Sequence, residues 1–206
     1  WSAVPAKPKF IGRREFKQYD LADLAGCIDW APFFQTWDLA GAYPSILSDA
    51  VVGDAARKVF ADGQAMLKKI IDGRWLQANG VMALYPANSV GDDIEVYADE
   101  SRTEVLLRWA PLRMQSERPV VDGVKRPNRS LADFIAPKAS KPDYIGLFAV
   151  TAGLGAEKKA KQFEDAGDDY SAILLKALAD RLAEAFAERL HQRVRTDLWG
   201  YAAGES

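Results

Sequence analysis

The stretch over residues 168–200, "DDYSAILLKALADRLAEAFAERLHQRVRTDLWG", constrains the fold of this chain more than any other. Leu174, Leu178, Leu182, Phe186, Leu190 and Val194 recur along it at steps of four. Side chains four apart stand on one face of an α-helix, so the spacing predicts a single long helix with a continuous apolar seam. Asp168 or Asp169 is placed to cap its start and Gly200 to close its end. Such a seam must be covered by other parts of the chain.

Candidates for that cover come earlier. "GAYPSILSDAVVGDAARKVFADGQAMLKKIIDG" carries Val52, Ala56, Val59, Phe60, Ala65, Met66, Leu67, Ile70 and Ile71 at helical spacing and predicts a helix over about 51–71, closed by Gly73. The period then changes. "GVMALYPAN", "DIEVYAD" and "TEVLLRWA" are short, rich in β-branched and aromatic residues and separated by Asn, Gly and Asp, the pattern of an antiparallel meander. "PDYIGLFAVTAG" reads as a further strand, apolar enough to be placed centrally. "AEKKAKQFEDA" adds a short helix. Within 21–39 the signal is aromatic and irregular: Asp20 or Asp23 caps a short helix that Pro32 ends or kinks. Residues 1–20 are basic and proline-bearing at their start and read as an extended linker. Strands in the middle and helices at both ends give the α+β class.

Composition narrows the function. With 206 residues, 49% hydrophobic and 27% charged, the chain reads as one globular domain with a sizeable core. A net charge of -2 gives no general attraction to nucleic acid or to an anionic membrane. No run approaches the ~20 apolar residues that span a bilayer. Cys27 is the single cysteine, which excludes an intrachain disulfide and points to a reducing compartment, the cytoplasm by default. His191 is the single histidine, and no HExxH pattern or nucleophile elbow accompanies it, so neither a histidine-rich metal site nor a hydrolytic triad is expected.

Three charge features remain. "GCIDWAPFF" sets Asp29 in a run that must be mostly buried, and a buried carboxylate needs a partner from the chain or from a ligand. On the long helix, Ala177, Asp180, Glu184, Ala187 and His191 fall close to one line beside the seam. This line is either a wet flank paired with Lys176, Arg181 or Arg189, or a ligand-facing strip where small alanines leave room beside carboxylates. Two acids alone do not establish acid-base catalysis. The loop "RMQSERPVVDGVKRPNRS" sets Arg113, Arg118, Lys125, Arg126 and Arg129, with Arg108 just upstream, against Glu117 and Asp122. It is either a solvated loop or a dock for an acidic partner.

"IDWAPFFQTWDLAGAYPSIL", "LYPANSVGDDIEVYADESRTEV", "LADFIAPKAS", "DYIGLFAVTAG" and "DDYSAILLKALADRLAEAFAERLHQRVRTDLWGY", in this order, strongly resemble the C-terminal activation domain of cobalamin-dependent methionine synthase, from about residue 22 onward. The resemblance implies a single C-shaped domain over 21–206, with a twisted antiparallel sheet, flanking helices and a long C-terminal helix. It implies binding of S-adenosylmethionine and reductive remethylation of cob(II)alamin to methylcobalamin, with the cobalamin held by a neighbouring domain of the same polypeptide. The electron comes from flavodoxin or a related flavoprotein reductase, and zinc belongs only to other modules. The family's ligand-contacting acids fall on Asp29 and Glu184, with Asp180 facing cobalamin; the basic loop makes Arg126 and Arg129 candidates for flavodoxin docking. No catalytic acid or base is required, because the sulfonium is already activated and the protein's task is placement. The family's Arg-x-x-x-Gly-Tyr-Pro motif is absent before "WGYAAGES" ends the chain, so the sequence reads as incomplete at its C-terminus. Without that arginine, tight binding is not expected of this segment alone.

Overall fold

The computed structural model describes residues 4–118, 120–121 and 123–205. Residues 1–3 of the expected linker and Asp122 of the basic loop lie outside the described residues, as does the side chain of Lys125. The elements run β1 (Gly12–Tyr19), α1 (Leu21–Ala25), α2 (Ala31–Gln35), α3 (Gly53–Asp72), β2 (Gln77–Val90), β3 (Asp93–Tyr97), β4 (Val105–Trp109), β5 (Val120–Val121), β6 (Val124–Lys125), β7 (Asp143–Leu154), α4 (Ala156–Asp165) and α5 (Asp169–Arg193). A π turn, Val194–Leu198, continues α5. The class is α+β. β1 to β4 form a sheet in chain order, β7 also pairs with β2, and β5 pairs with β6 in a small hairpin. The β2/β3 and β3/β4 pairings are antiparallel, with Ser89 opposite Ile94 and Glu95 opposite Arg108.

The chain forms two compact units. One takes the described residues up to Arg14, Met82–Phe148 and the chain from Arg193 on; the other takes Glu15–Val81 and Ala149–Gln192. β1, β2 and β7 each run from one unit into the other.

In the helix-rich unit, every seam residue of α5 from Leu174 to Leu190 is buried. Asp168 is the residue that caps α5, accepting from the Ser171 amide at 3.0 Å. Asp20 caps α1 through the Ala22 amide at 2.9 Å. Pro32 corrects its expectation: it neither ends nor kinks a helix but sits in the first turn of α2, where a missing N–H costs nothing and the fixed φ favours the helix. Trp30, Phe33 and Phe34 are core, as the apolar run implied, with Phe60 packed edge-on to Trp30 at 4.9 Å between ring centroids.

The end of α3 departs from its sequence signal. Gly73 is the C-cap, but with φ -83° it uses none of a glycine's freedom. The left-handed position falls on Arg74, φ 48°, and its amide donates to Ile71 O while that of Trp75 donates to Ile70 O. This is the paired closure in which glycine ordinarily takes the left-handed place. A side chain there costs about 1–2 kcal/mol.

In the strand-rich unit, Ala87, Ile94, Val96, Ala132 and Ile145 form a core cluster, with Tyr85, Trp109 and Ile135 against it. β7 was expected to be central, and it is not. Among the described residues it pairs with β2, and β2 is the strand with several neighbours. Leu147 and Phe148 in the middle of β7 are 37% and 42% exposed, because an apolar run records composition and not position in a sheet. Glu95 is buried on β3 and accepts from Lys138 Nζ at 2.8 Å, Arg108 Nη2 at 2.5 Å and Tyr97 Oη at 2.9 Å. Lys138, more than any other partner, holds its carboxyl below the usual glutamate range.

Two outcomes follow from these contacts. A Cβ on Gly63, inside α3, would lie 2.7 Å from Cζ of the fully buried Phe33. Gly63→Ala, ordinarily favourable in a helix, should therefore destabilise by about 1–3 kcal/mol in denaturant unfolding. Glu95→Gln should cost about 1–3 kcal/mol at neutral pH. Because the folded pKa of Glu95 is lowered, its stabilisation is present above the unfolded pKa and lost as pH falls through the folded value. The acid limb of the stability profile should flatten in Glu95→Gln, and an unchanged limb would remove Glu95 as its source.

Candidate functional site

Asp29 precedes α2 and is exposed, although Ile28 and Trp30 on either side are buried. The desolvation cost anticipated from its neighbours therefore does not arise. Its backbone turns the side chain outward, and Oδ1 accepts from the Ala31 amide at 2.9 Å, closing the turn into α2. Oδ2 makes no hydrogen bond among the described residues.

Glu184 lies two turns from the C-terminal end of α5 and is 64% exposed. Both its oxygens accept from Arg181, at 2.5 Å from Nη1 and 2.9 Å from Nη2. The Arg181 side chain is only 13% exposed, so this fork is fixed from the protein side. Asp180 is exposed on the same helix, one turn earlier, and Ala177 before it is buried. The other basic neighbours find acids elsewhere: Lys176 pairs with Glu164 at 3.0 Å and Arg189 with Asp23 at 2.9 Å. Asp29 and Glu184 belong to the same unit, and each keeps its own local partner.

Arg126 and Arg129 lie in the strand-rich unit, on the wall of a cavity of about 480 Å3 that Arg113, Arg118, Pro127 and Phe134 also line. Among the described residues neither side chain makes a hydrogen bond or ion pair, although the Arg129 carbonyl accepts from the Met114 amide at 2.8 Å. Much of the loop's other charge is internal. Arg113 reaches Asp133 at 2.8 Å and Asp92 at 2.6 Å, and the Arg113 guanidinium holds the Asp133 carboxyl down to about 2. Arg108 is spent on Glu95. The sequence count of cations overstates what the loop presents, because the neutralising acids are 13 to 21 residues away in the chain.

Among the described residues no group of three or more His, Cys, Asp or Glu could hold a metal ion, and no helix is long and apolar enough to cross a membrane. What the helix-rich unit offers is a pair of exposed carboxylates, one with a free oxygen and one held in a guanidinium fork. Such groups bind cations and hydroxyls rather than anions.

Over residues 20–206 the chain matches the family described as vitamin B12 dependent methionine synthase, activation domain. It is similar to a solved structure, the crystal structure of the MetH reactivation domain bound to AdoHcy, at 50% sequence identity and a TM-score of 0.92. The alignment covers 100% of this chain and 62% of that one, so this chain spans less than two thirds of the relative's length. By the extent of the family match, the chain belongs to the activation domains of vitamin B12 dependent methionine synthase.

Proposed function

We propose that this segment is the S-adenosylmethionine-binding reactivation module of a cobalamin-dependent methionine synthase, acting within a longer polypeptide to support remethylation of cob(II)alamin. The reading is supported chiefly by the 50% identity to a reactivation domain whose structure contains AdoHcy. Asp29 and Glu184 are the residues that contact the ligand, and Asp180 faces the cobalamin carried by a neighbouring domain. The module spans residues 21–206, works in the cytoplasm, and contributes to a methyltransferase without supplying an acid or base.

S-adenosylmethionine supplies an activated methyl group on a sulfonium centre. The chain's own part is to bind and orient. Asp29 offers an oxygen free of internal hydrogen bonds to an ammonium or a ribose hydroxyl. Glu184, already oriented by Arg181, presents a carboxylate of fixed direction. A carboxylate in a charge-assisted contact is worth roughly 1.5–3 kcal/mol.

In a longer polypeptide that also carries the Arg-x-x-x-Gly-Tyr-Pro loop, calorimetry should detect S-adenosylmethionine binding. Asp29→Asn and Glu184→Gln should each weaken it by about ten- to a hundredfold. Wild-type affinity in both variants would sink the assignment of these residues. A folded protein with no affinity at millimolar ligand would sink the function itself.

A second surface has its own support. Arg126 and Arg129 stand free of ion pairs in a concave wall and suit flavodoxin or a related acidic flavoprotein reductase. Charge reversal, Arg126→Glu with Arg129→Glu, should lower flavodoxin association about tenfold or more at low ionic strength and much less in high salt. An equal effect at both salt concentrations would mean that the arginines do not steer the encounter.

A further inference from the structure

A second cavity, of about 580 Å3, lies within the helix-rich unit where β1 ends and α3 gives way to β2. Its wall carries two opposite charges, Asp20 and Arg74, together with the apolar side chains of Leu21, Ile71 and Leu76. Neither Asp29 nor Glu184 lines it. The two charges do not pair with each other. Asp20 uses Oδ1 to cap α1, and the Arg74 side chain has no hydrogen bond or ion pair among the described residues.

The backbone marks the same place. Four non-glycine residues among those described have positive φ, and two of them, Gln18 at 51° and Arg74 at 48°, border this cavity. Gln18 has a local reason, since its amide donates to Asn79 Oδ1 at 2.9 Å. Arg74 closes α3 through its own amide and that of Trp75, in the left-handed place that glycine ordinarily takes, while Gly73 is held where it is because a Cβ there would run into Nε1 of Trp75. A long charged side chain is thus kept in a strained place on the cavity wall, which points to a function for it.

We propose that this cavity binds a free α-amino acid with an apolar side chain. Arg74 takes the carboxylate with its planar fork, Asp20 takes the ammonium with the oxygen its cap leaves over, and Leu21, Ile71 and Leu76 receive the side chain. A simple anion would gain Arg74 and be repelled by Asp20; a simple cation would meet the reverse. A zwitterion satisfies both, and the volume lies within the range of small-molecule sites. The proposal goes beyond the reactivation reading and does not rest on it.

The test is an NMR titration of the 15N-labelled 206-residue chain with L-leucine, N-acetyl-L-leucine and L-leucinamide. Saturable shifts are expected for L-leucine at the amides of residues 18–21 and 74–78, with binding at least about tenfold weaker for either blocked derivative. Arg74→Gln and Asp20→Asn should each lose a similar amount, and asparagine keeps the α1 cap, so the second loss would not come from unfolding. Arg74→Gly relieves the left-handed strain, and it should raise Tm while abolishing binding. Absence of saturable shifts, equal binding of the blocked derivatives, or retained binding in Arg74→Gly would each overturn the proposal. Shifts centred instead on Asp29 and Glu184 would also overturn it while leaving the S-adenosylmethionine reading intact.

Discussion

The strand-rich unit depends on one buried carboxamide. Asn88, near the end of β2 and 2% exposed, donates to Ala136 O at 2.9 Å and Lys141 O at 2.8 Å, and accepts from Arg102 Nη1 at 2.8 Å. Ser89 extends the clasp: its amide donates to Ala136 O at 3.0 Å, its hydroxyl to Ile135 O at 2.9 Å, and its carbonyl accepts from the Lys138 amide at 3.0 Å. The irregular segment before β7 is thereby fastened to β2 without being a strand. Buried polar groups left unpaired cost about 1–3 kcal/mol each, so this network holds only when complete. Lys138 reaches Glu95 because of it, and Asp133, a few residues earlier, is set in place for Arg113.

That fastening also decides which charges remain available. Arg102 is consumed by Asn88, by the Asp143 carbonyl at 2.9 Å, and by positions over the Tyr97 and Tyr144 rings at 5.6 Å and 5.5 Å. Arg108 and Arg113 are consumed by Glu95, Asp92 and Asp133. Arg118 donates to the Pro127 carbonyl at 3.3 Å, and the side chains of Arg126 and Arg129 are left on the cavity wall without a hydrogen bond or ion pair among the described residues. A cation's availability is thus a tertiary property, fixed by partners that local sequence does not reveal.

The same distinction separates what was legible in the sequence from what was not. The α5 seam and the body of α3 could be read because helix period and burial coincide there, and β2, β3 and β4 because turn residues bracket short β-rich runs. Pro32 is ambiguous in sequence because a proline signals both the end of one helix and the start of the next, and only the break after Gly26 decides between them. Gly73 carries the sequence signal of a cap while the left-handed position is Arg74, since that place depends on where the last α-helical hydrogen bond falls. Asp29 stands out in its apolar run and Asp180 and Glu184 in the helix spacing, while their ligand roles rest on family resemblance alone. Neither Asp29's outward turn nor the Arg181 fork on Glu184 has a periodic signature, although the spacing of Arg181 and Glu184 permitted the pair.

The fork bears on how Glu184 can meet a cationic ligand. Withdrawing Glu184 from Arg181 would strand a guanidinium whose side chain is only 13% exposed, a costly arrangement in a partly dry setting. An ionised carboxylate, however, offers about four lone-pair sites, and Arg181 occupies one on each oxygen. A second donor can therefore be accepted on the solvent side while the first is kept. A ligand bound by addition would leave Arg181 satisfied in both states and avoid the cost of breaking an ion pair. Such binding would also fix the direction from which the ligand must approach, since the oxygens' remaining sites point away from the guanidinium plane's nitrogens. A site built this way would select by orientation as much as by charge.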